Sequence, residues 1–278
     1  MRGWLIPVVL LAAACSSNDR SGPGTPVDTP TSLSSTTLDG AIALTWSDNS
    51  FTSDPDIFQN YRVYSASFDF DNNACGTWRL EGTTVAPEFV VGALANGAPE
   101  CFSVTAESVD GFESARSPTR SDTPRPDARN VVLYAFQSQP DQSGFRFWED
   151  LNADGTAQGS EIGLVGSGAS NTIDFVVDRD GSGDLFLTPV RSGTGVEYYD
   201  DNAPVEDLTS IDFAADRPYS PAGILAIPGY GYVFEMSGGD GFKRYGAVRV
   251  THVGQNFLIL DWAFQPDHGN PELVVTHR

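Results

Sequence analysis

Short runs that alternate between apolar and polar residues, with no helical periodicity, characterise the first part of the chain. Alternation with a period of two is typical of half-buried β-strands, because successive side chains point to opposite faces of a sheet. Clusters of Asp, Asn, Ser and Gly separate the runs at near-regular spacing, as in antiparallel β-sandwiches. The pattern predicts a β-sandwich at residues 30–126, with strands at residues 41–46, 61–64, 78–80, 89–91 and 102–106.

The second part of the chain has the same strand-like character. Short β-rich runs occur at residues 131–136, 145–148, 162–165, 173–177, 185–187, 230–234, 247–250 and 257–260. The last part, residues 230–265, predicts a three-stranded meander with turns at 237–241 and 254–256. A Pro-rich joint at residues 121–128 separates this second β-rich antiparallel domain, residues 130–278, from the first domain. The chain is therefore predicted to be all-β.

Residues 1–15 have the layout of an export signal. Arg2 precedes an apolar run at residues 4–11, and three alanines then lead to Cys15. The run is too short to span a bilayer. The segment resembles a bacterial lipoprotein signal peptide, which implies that Cys15 is lipidated and anchors the mature chain to a membrane of the cell envelope. Ser16, in place of Asp, implies the outer membrane, and an ordinary secretory signal is the alternative.

Residues 16–29 lack apolar periodicity and are rich in Ser, Gly, Pro and Thr. Such a composition predicts a flexible tether. A tether of this length would hold the folded part on the order of 20 Å from the lipid on average.

The chain is strongly acidic, with 37 Asp and Glu residues against 16 Lys and Arg residues and a formal net charge of -21. A surface this negative repels phosphates, so the composition argues against nucleic acid as a partner and against a basic contact with anionic lipid headgroups. It favours divalent cations and basic protein partners. The alternative is that the charge only keeps an exported protein soluble.

Several segments of the first domain together resemble a fibronectin type III domain. The segments that match its strand B, strand C, E–F corner, strand F and F–G turn are residues 44–46, 61–64, 94–97, 102–106 and 110–114. The resemblance implies that Trp46 and Tyr61 pack across the core. It also implies a spacer, scaffold or binding module, on the basis of the fold alone. Glu100 stands near the corner where that family has a tyrosine.

Apart from Cys15, the chain has two cysteines, Cys75 and Cys101. In an oxidising compartment an even pair predicts a disulfide. A bridge of this span would contribute on the order of 3 kcal/mol by restricting the unfolded chain. It would also brace the corner that lacks its tyrosine. Two separate buried thiols are the alternative.

The sharpest chemical motif is the sequence DLNADGTAQGSE, which meets the pattern D-x-[DN]-x-[DN]-G-x5-E. Ca²⁺ prefers about six to eight oxygen ligands from a loop that can wrap around it. The side-chain ligands would be Asp150, Asn152, Asp154 and Glu161, and the carbonyl ligand would be that of Thr156. Strand-like flanks distinguish this motif from an EF-hand. A polar hairpin loop without a metal ion is the alternative.

A second acidic stretch, residues 178–184, contains Asp-Gly between two predicted strands. This arrangement is typical of a hairpin turn. The stretch lacks a Glu at the twelfth loop position, so calcium is here the weaker alternative.

The predicted meander is similar to the C-terminal strands of HmuY-type β-rich surface lipoproteins, some of which capture haem. The segments that carry the similarity are residues 241–245, 248–250 and 257–265. Haem capture would need suitably placed axial ligands. The histidines of the chain are His252, His268 and His277.

The sequence contains no Gly-x-Ser-x-Gly, His-Glu-x-x-His, Gly-x-x-x-x-Gly-Lys or Cys-x-x-Cys motif, so it predicts a noncatalytic protein. We expect a binding or scaffold protein with a protein partner at the cell envelope. The alternative is a protein that captures haem or carbohydrate, and a hydrolase is less favoured. Ligand capture predicts a concave patch of aromatic side chains, for which the candidates are Trp148, Tyr198, Tyr199 and Trp262.

Overall fold

The chain folds into two β-sandwiches that follow each other in sequence. The structure, a computed structural model, describes residues 27–69, 72–151, 161–200, 203–237 and 241–273. In this part of the chain the helices are α1 (Asn49–Ser53) and the 3₁₀ turns Pro140–Gln142 and Leu208–Ser210. None of them is long and apolar enough to cross a membrane. All remaining regular structure is antiparallel β-sheet, which confirms the predicted fold class.

The first sandwich consists of two sheets with different strand numbers. Its strands are β1 (Ser34–Leu38), β2 (Ala41–Thr45), β3 (Phe58–Asp69), β4 (Ala74–Cys75), β5 (Arg79–Thr84), β6 (Glu88–Val91), β7 (Glu100–Ser108) and β8 (Arg120–Asp122). One sheet has the order β1-β2-β6, and the other has the order β4-β3-β7-β8 with β5 also paired to β3. The predicted strand B is β2, whereas the predicted strands C and F are β3 and β7, which pair with each other in the second sheet. This arrangement confirms the fibronectin type III-like sandwich.

The core of the first sandwich forms where the inward faces of its two sheets meet. Ile42 and Leu44 alternate with less buried neighbours along β2 and are almost completely buried. Trp46 packs edge-on against Tyr61, with 5.3 Å between the ring centroids, as the sequence predicts. The hydroxyl of Tyr61 donates a hydrogen bond to Asp48 Oδ1 at 2.8 Å, so the polar end of this buried ring is satisfied. Burial, together with this carboxylate, raises the pKa of Tyr61 to about 12.

Residues that the sequence assigns to the tether, residues 16–29, already contact the first sandwich. Val27 is 5% exposed and packs into the first core. The carbonyl of Asp28 accepts a hydrogen bond from the hydroxyl of Ser50 in α1 at 2.6 Å. Val27 and Asp28, which lie within the predicted tether, are thus held by the first core and by α1.

The predicted disulfide between Cys75 and Cys101 is present. Cys75 lies in β4 and Cys101 lies near the start of β7, and both strands pair with β3. The bridge therefore connects the two neighbours of β3 at one end of the sheet.

The corner that lacks the family's tyrosine is held by an asparagine. The backbone N–H of Gly40 donates a hydrogen bond to Asn96 Oδ1 at 2.9 Å, and Asn96 Nδ2 donates to Asp39 Oδ1 at 2.7 Å. These contacts fasten the corner to the turn between β1 and β2. Asn96 thus braces this corner directly, and the Cys75–Cys101 disulfide lies a few residues further along the chain.

The second sandwich has two five-stranded sheets. Its strands are β9 (Asp127–Tyr134), β10 (Gly144–Trp148), β11 (Ile162–Gly166), β12 (Phe175–Arg179), β13 (Leu185–Pro189), β14 (Thr194–Tyr198), β15 (Ile224–Leu225), β16 (Gly231–Ser237), β17 (Lys243–Val253) and β18 (Phe257–Gln265). The sheets have the orders β11-β10-β12-β13-β15 and β14-β16-β17-β18-β9. The consecutive antiparallel strands β16, β17 and β18 are the predicted meander. β9 begins at Asp127, which lies before the expected domain start at residue 130.

Aromatic rings fill the space between these two sheets. Phe175 and Phe234 stack across the core with ring centroids 4.7 Å apart. Gly163 has a φ of 66°, and a Cβ atom there would lie 2.1 Å from the ring of Trp262, so only glycine fits this position. Other rings in this core are those of Phe145, Phe147, Tyr232 and Phe264.

The segment between β14 and β15 covers the outer face of the sheet that contains the meander. Leu208 and Ile211 from this segment pack with Val233 of β16 in a separate small core. Arg129 of β9 donates two hydrogen bonds to the carboxylate of Asp207, at 2.8 and 3.2 Å. This paired contact lowers the pKa of Asp207. The segment is thus fastened to the sheet by both apolar packing and an ion pair.

The connection between the two sandwiches, residues 123–126, is buried along its whole length. The N–H of Arg125 donates to the carbonyl of Leu38 at 3.2 Å, and the carbonyl of Pro126 accepts from the N–H of Phe264 at 3.0 Å. The connection therefore hydrogen-bonds to both sandwiches. Arg125 is 1% exposed, and this burial lowers its pKa to about 9.

Asp174 is a buried carboxyl group beside the core of the second sandwich. It is fully buried, and its Oδ2 accepts a hydrogen bond from the N–H of Phe147 at 2.7 Å. The Nε of Arg191 lies 3.6 Å from its Oδ1. Burial raises the pKa of Asp174 to about 6, although the charge of Arg191 opposes this rise.

We expect Asp174→Asn to change the pH dependence of stability. The pKa of about 6 in the folded chain exceeds the ordinary value of 3.8, so the folded state binds the proton more tightly than the unfolded state. This group therefore lowers the wild-type free energy of unfolding as pH rises from about 4 to about 6, and has a constant effect above that range. Asn does not titrate, but its Oδ1 can still accept the N–H of Phe147. In wild type this group should decrease the free energy of unfolding by about 3 kcal/mol between about pH 4 and pH 6, and the variant should not show this decrease.

Urea denaturation at several pH values between about 4 and 7 measures this difference. Asp184→Asn, at an exposed position of the same sandwich, is the control and should keep the wild-type dependence. If the free energy of unfolding changed with pH in the same way in wild type and Asp174→Asn, the raised pKa of Asp174 would be contradicted.

Candidate functional site

The predicted calcium motif lies on the connection between β10 and β11. These strands pair as antiparallel neighbours, with Trp148 opposite Ile162, so the strand-like flanks are confirmed. Asp150 follows β10 and Glu161 immediately precedes β11. The first and twelfth positions of the motif thus lie at the two ends of one hairpin loop. The expected ligands Asn152, Asp154 and Thr156 lie outside the described residues.

Glu161 is folded back over the start of this loop. It is 4% exposed, its Oε1 accepts the N–H of Leu151 at 3.0 Å, and its carbonyl accepts the N–H of Glu149 at 2.9 Å. A calcium loop needs its first and last carboxylates to converge on one ion. The described ends of the loop lie close together, since Glu161 contacts Leu151, the residue after Asp150. Since the described residues contain no group of three or more His, Cys, Asp or Glu that could hold a metal ion, a complete ligand set depends on the middle of the motif.

The second acidic stretch forms a hairpin turn between β12 and β13. Asp180 Oδ1 accepts the N–H groups of Ser182 and Asp184 at 2.8 and 2.9 Å. The N–H of Asp180 also donates to the carbonyl of Asp184 at 3.0 Å. The Asp180 carboxylate therefore stabilises the turn by accepting backbone hydrogen bonds, which supports the hairpin interpretation.

A cluster of aromatic side chains and an arginine lies on the outer face of β3 and β5. The guanidinium carbon of Arg116 lies 4.7 Å from the centre of the Tyr64 ring and 5.3 Å from that of the Trp78 ring. Leu80 lies opposite Tyr64 in the ladder and is 45% exposed. Arg116 is exposed above the two rings, an arrangement that is typical of cation–π contacts. We call Tyr64, Trp78, Leu80 and Arg116 the aromatic–arginine surface.

Hydrogen bonds fix the tyrosine of this surface. The hydroxyl of Tyr64 donates to Glu113 Oε1 at 2.6 Å and accepts from Arg62 Nε at 3.0 Å. Thr105 also donates to Glu113 Oε1, at 2.7 Å. Burial opposes ionisation of Glu113, but the hydrogen bonds from Tyr64 and Thr105 and the charge of Arg62 together lower its pKa. These hydrogen bonds fix the orientation of the Tyr64 ring on the outer face of the sheet.

The sequence pattern indicates only part of this surface. Because Tyr61 and Val63 face the core, the alternation along β3 places Tyr64 on the opposite face. Trp78 lies in one of the predicted strands. Arg116 lies in the loop after β7, and no spacing rule connects it with Tyr64 or Trp78.

The four aromatic residues considered for ligand capture do not form one patch. Trp148 and Trp262 belong to the core of the second sandwich and are 9% and 5% exposed. Tyr198 donates its hydroxyl to the carbonyl of Leu225 at 3.2 Å. Tyr199 packs in the separate small core beneath the segment after β14. The concave aromatic patch expected of a ligand-capturing protein is therefore not formed by these residues.

The histidines considered for haem lie far apart. His252 lies on β17 beside Phe257, the first residue of β18. His268 follows the other end of β18, and its ring lies 4.4 Å from that of Phe242. A strand of nine residues separates the two ends, which corresponds to about 25 Å or more. His252 and His268 therefore cannot ligate the same iron, and His277 lies outside the described residues.

Comparisons with known proteins give only distant similarities. No family model and no curated protein matches the chain. An Fn3-like protein from Clostridium thermocellum matches 35% of this chain and 92% of its own, with 21% identity and a TM-score of 0.28. The third fibronectin III domain of human KIAA0343 protein matches 40% of this chain and 93% of its own, with 17% identity and a TM-score of 0.31. A DUF4466 family protein from Parabacteroides merdae matches 89% of this chain and 96% of its own, with 11% identity and a TM-score of 0.39. These TM-scores are low, so the description of the first sandwich rests on its own strand order.

We expect Ca²⁺ at about 0.1 mM to raise the melting temperature of the protein relative to chelator, because an ion that binds only the folded state stabilises it. Asp154→Ala should remove this difference, since it deletes a central carboxylate ligand. Asp180→Ala, in the second acidic stretch, should retain the difference. Thermal melts of the three proteins with Ca²⁺ and with chelator provide the measurement. An equal calcium response in wild type and Asp154→Ala would refute the loop site.

Proposed function

We propose that this chain is a lipid-anchored protein of the bacterial cell envelope that acts as a noncatalytic binding or scaffold component. The observation that carries the binding role is the aromatic–arginine surface on the first sandwich. Trp, Tyr and Arg are the residue types that contribute most to binding energy at protein interfaces. In this surface Arg116 and Leu80 are exposed and Trp78 is partly exposed, whereas Tyr64 is 8% exposed and supports Arg116 from below.

The proposed partner is a protein with a basic rim around its contact site. The formal net charge of -21 favours approach of a positively charged partner. Next to the aromatic–arginine surface, Glu107 and Glu113 form ion pairs with Arg62, which partly neutralise their negative charge. Apolar and stacking contacts would therefore dominate the centre, with charge acting at longer range.

Lipidation of Cys15 would supply the anchor in this proposal. Cys15 lies outside the described residues, and the proposal rests on the sequence of residues 1–15. The tether would set the reach of the two sandwiches from an outer membrane. A calcium ion in the loop between β10 and β11 would have a structural role, because it would fix a connection of the second sandwich and not touch a substrate.

The partner prediction is tested by capture from detergent extracts of the source bacterium, with the full-length protein as bait. The double variant Trp78→Ala/Arg116→Ala should reduce the captured partner by about tenfold or more, because it removes two residues of hot-spot type. Phe213→Ala, at a 48% exposed aromatic position of the second sandwich, is the matched control. Equal capture by the double variant and the control would contradict the proposed surface.

The anchor prediction is tested by metabolic labelling with a radioactive fatty acid. Wild type should carry the label and partition into the detergent phase, whereas Cys15→Ser should carry no label. An unlabelled wild-type protein with a free mature N-terminus would instead support the ordinary secretory signal.

A further inference from the structure

A small polar cavity lies where the two sandwiches meet. Its volume is about 60 Å³, which is room for one hydrated ion or a few water molecules. Ser121, Asp122 and Thr123 line it from the end of the first sandwich. Asn270 and Glu272 line it from the segment that follows β18. The two sandwiches thus each contribute one carboxylate to the same space.

Asp122 is a fixed carboxylate with one uncommitted oxygen. The side chain is 6% exposed, and its Oδ1 accepts the hydroxyl of Thr37 at 3.3 Å and the N–H of Thr123 at 2.7 Å. Its Oδ2 is buried and has no hydrogen-bond partner within the described ranges. Burial raises the pKa of Asp122 and a polar contact with the Ser35 hydroxyl lowers it, but within the described residues no donor forms a hydrogen bond with Oδ2. A buried carboxylate oxygen that lines a cavity without a donor is unfavourable unless a cation or water occupies the space.

Glu272 is held in place by its backbone. Its N–H donates to Asn270 Oδ1 at 2.9 Å, and its carbonyl accepts from Gln265 Nε2 at 2.5 Å. The side chain is more exposed than that of Asp122, and the charges of the two carboxylates repel each other. A cation between them would convert this repulsion into attraction across the joint.

The positive groups nearby do not occupy the cavity. The charge of Arg120 lowers the pKa of both carboxyl groups, but Arg120 does not line the cavity and its Nε donates to the hydroxyl of Ser35 at 2.9 Å. Arg125 is buried in the connection and does not line the cavity. On the neighbouring strand, Glu100 lies directly opposite Asp122 in the ladder and adds negative charge. The polar part of the lining therefore consists of carboxylate, hydroxyl and amide groups, Phe68 and Pro99 complete the lining, and neither guanidinium group lines the cavity.

We propose that a hard divalent cation binds between Asp122 and Glu272 and links the two sandwiches. Carboxylate oxygens are the preferred ligands of Ca²⁺, and water would complete its coordination. Two carboxylates with Arg120 close by give a weak site, in the range of about 0.1 to 1 mM that is typical of extracellular modules. An open cavity of about 480 Å³ shares Asn270 and Glu272 with this site and provides an entry path.

The site is tested by thermal melting of the full-length protein in detergent, in an Asp154→Ala background that removes the proposed loop site. In this background, about 5 mM Ca²⁺ should raise the melting temperature by about 3 °C relative to chelator. Adding Asp122→Asn should abolish the rise, because the amide keeps the shape of the side chain and loses the charge. Glu235→Gln removes an acid of the second sandwich that pairs with Lys243 and should leave the rise unchanged.

Glu272→Gln keeps the test decisive if Asp122→Asn does not fold, because Glu272 is exposed and its backbone holds the turn. It should also abolish the calcium response. The absence of a calcium response in the Asp154→Ala background would overturn the proposal. So would a response that persists in both Asp122→Asn and Glu272→Gln.

Discussion

The buried connection between β8 and β9 is the constraint on which the arrangement of the described chain depends. Residues 123–126 hydrogen-bond to both sandwiches and expose almost no backbone to water. Arg125 in its centre stays charged at neutral pH, because burial lowers its pKa only to about 9 and the charges of Asp127 and Asp122 oppose the change. Opening this joint would break the backbone hydrogen bonds that it makes to Leu38 of the first sandwich and to Phe264 of the second. The sandwiches therefore meet through a fixed contact and not through a flexible linker.

The strands supply the frame, and the chemically interesting groups lie in connections or at the rims of sheets. Arg116 follows β7, Glu161 closes the loop before β11, and Asp207 fastens the segment after β14 to its sheet. Loops can carry such groups because the sheets behind them fix their ends. Trp148 and Trp262 lie on strands, with their side chains in the core between the two sheets. Although tryptophan is common in ligand-binding sites, both residues therefore contribute to the core in this fold.

How far the sequence predicts the fold depends on whether a strand has an apolar face. β2, β7 and the meander alternate clearly and were predicted from their patterns. β1 was missed because its buried positions are Ser35 and Thr37, which read as polar in any hydrophobicity pattern. They are buried since Thr37 contacts Asp122 and Ser35 accepts a hydrogen bond from Arg120, and these partners are far away in sequence.

The sequence by itself determined the all-β class and, once Cys15 is set aside, the pairing of Cys75 with Cys101, because alternation, turn residues and an even pair of cysteines are local or compositional signals. The contact of Trp46 with Tyr61 followed from the resemblance to a fibronectin type III domain. The sequence also identified a calcium-type spacing between residues 150 and 161. The tertiary structure alone decided that Arg116 lies over Tyr64 and Trp78, that Asp122 shares a cavity with Glu272, and that the Pro-rich joint is buried. These contacts join residues from different strands or different sandwiches. Only the packing of the two sheets in each sandwich, and of the sandwiches on each other, brings them together.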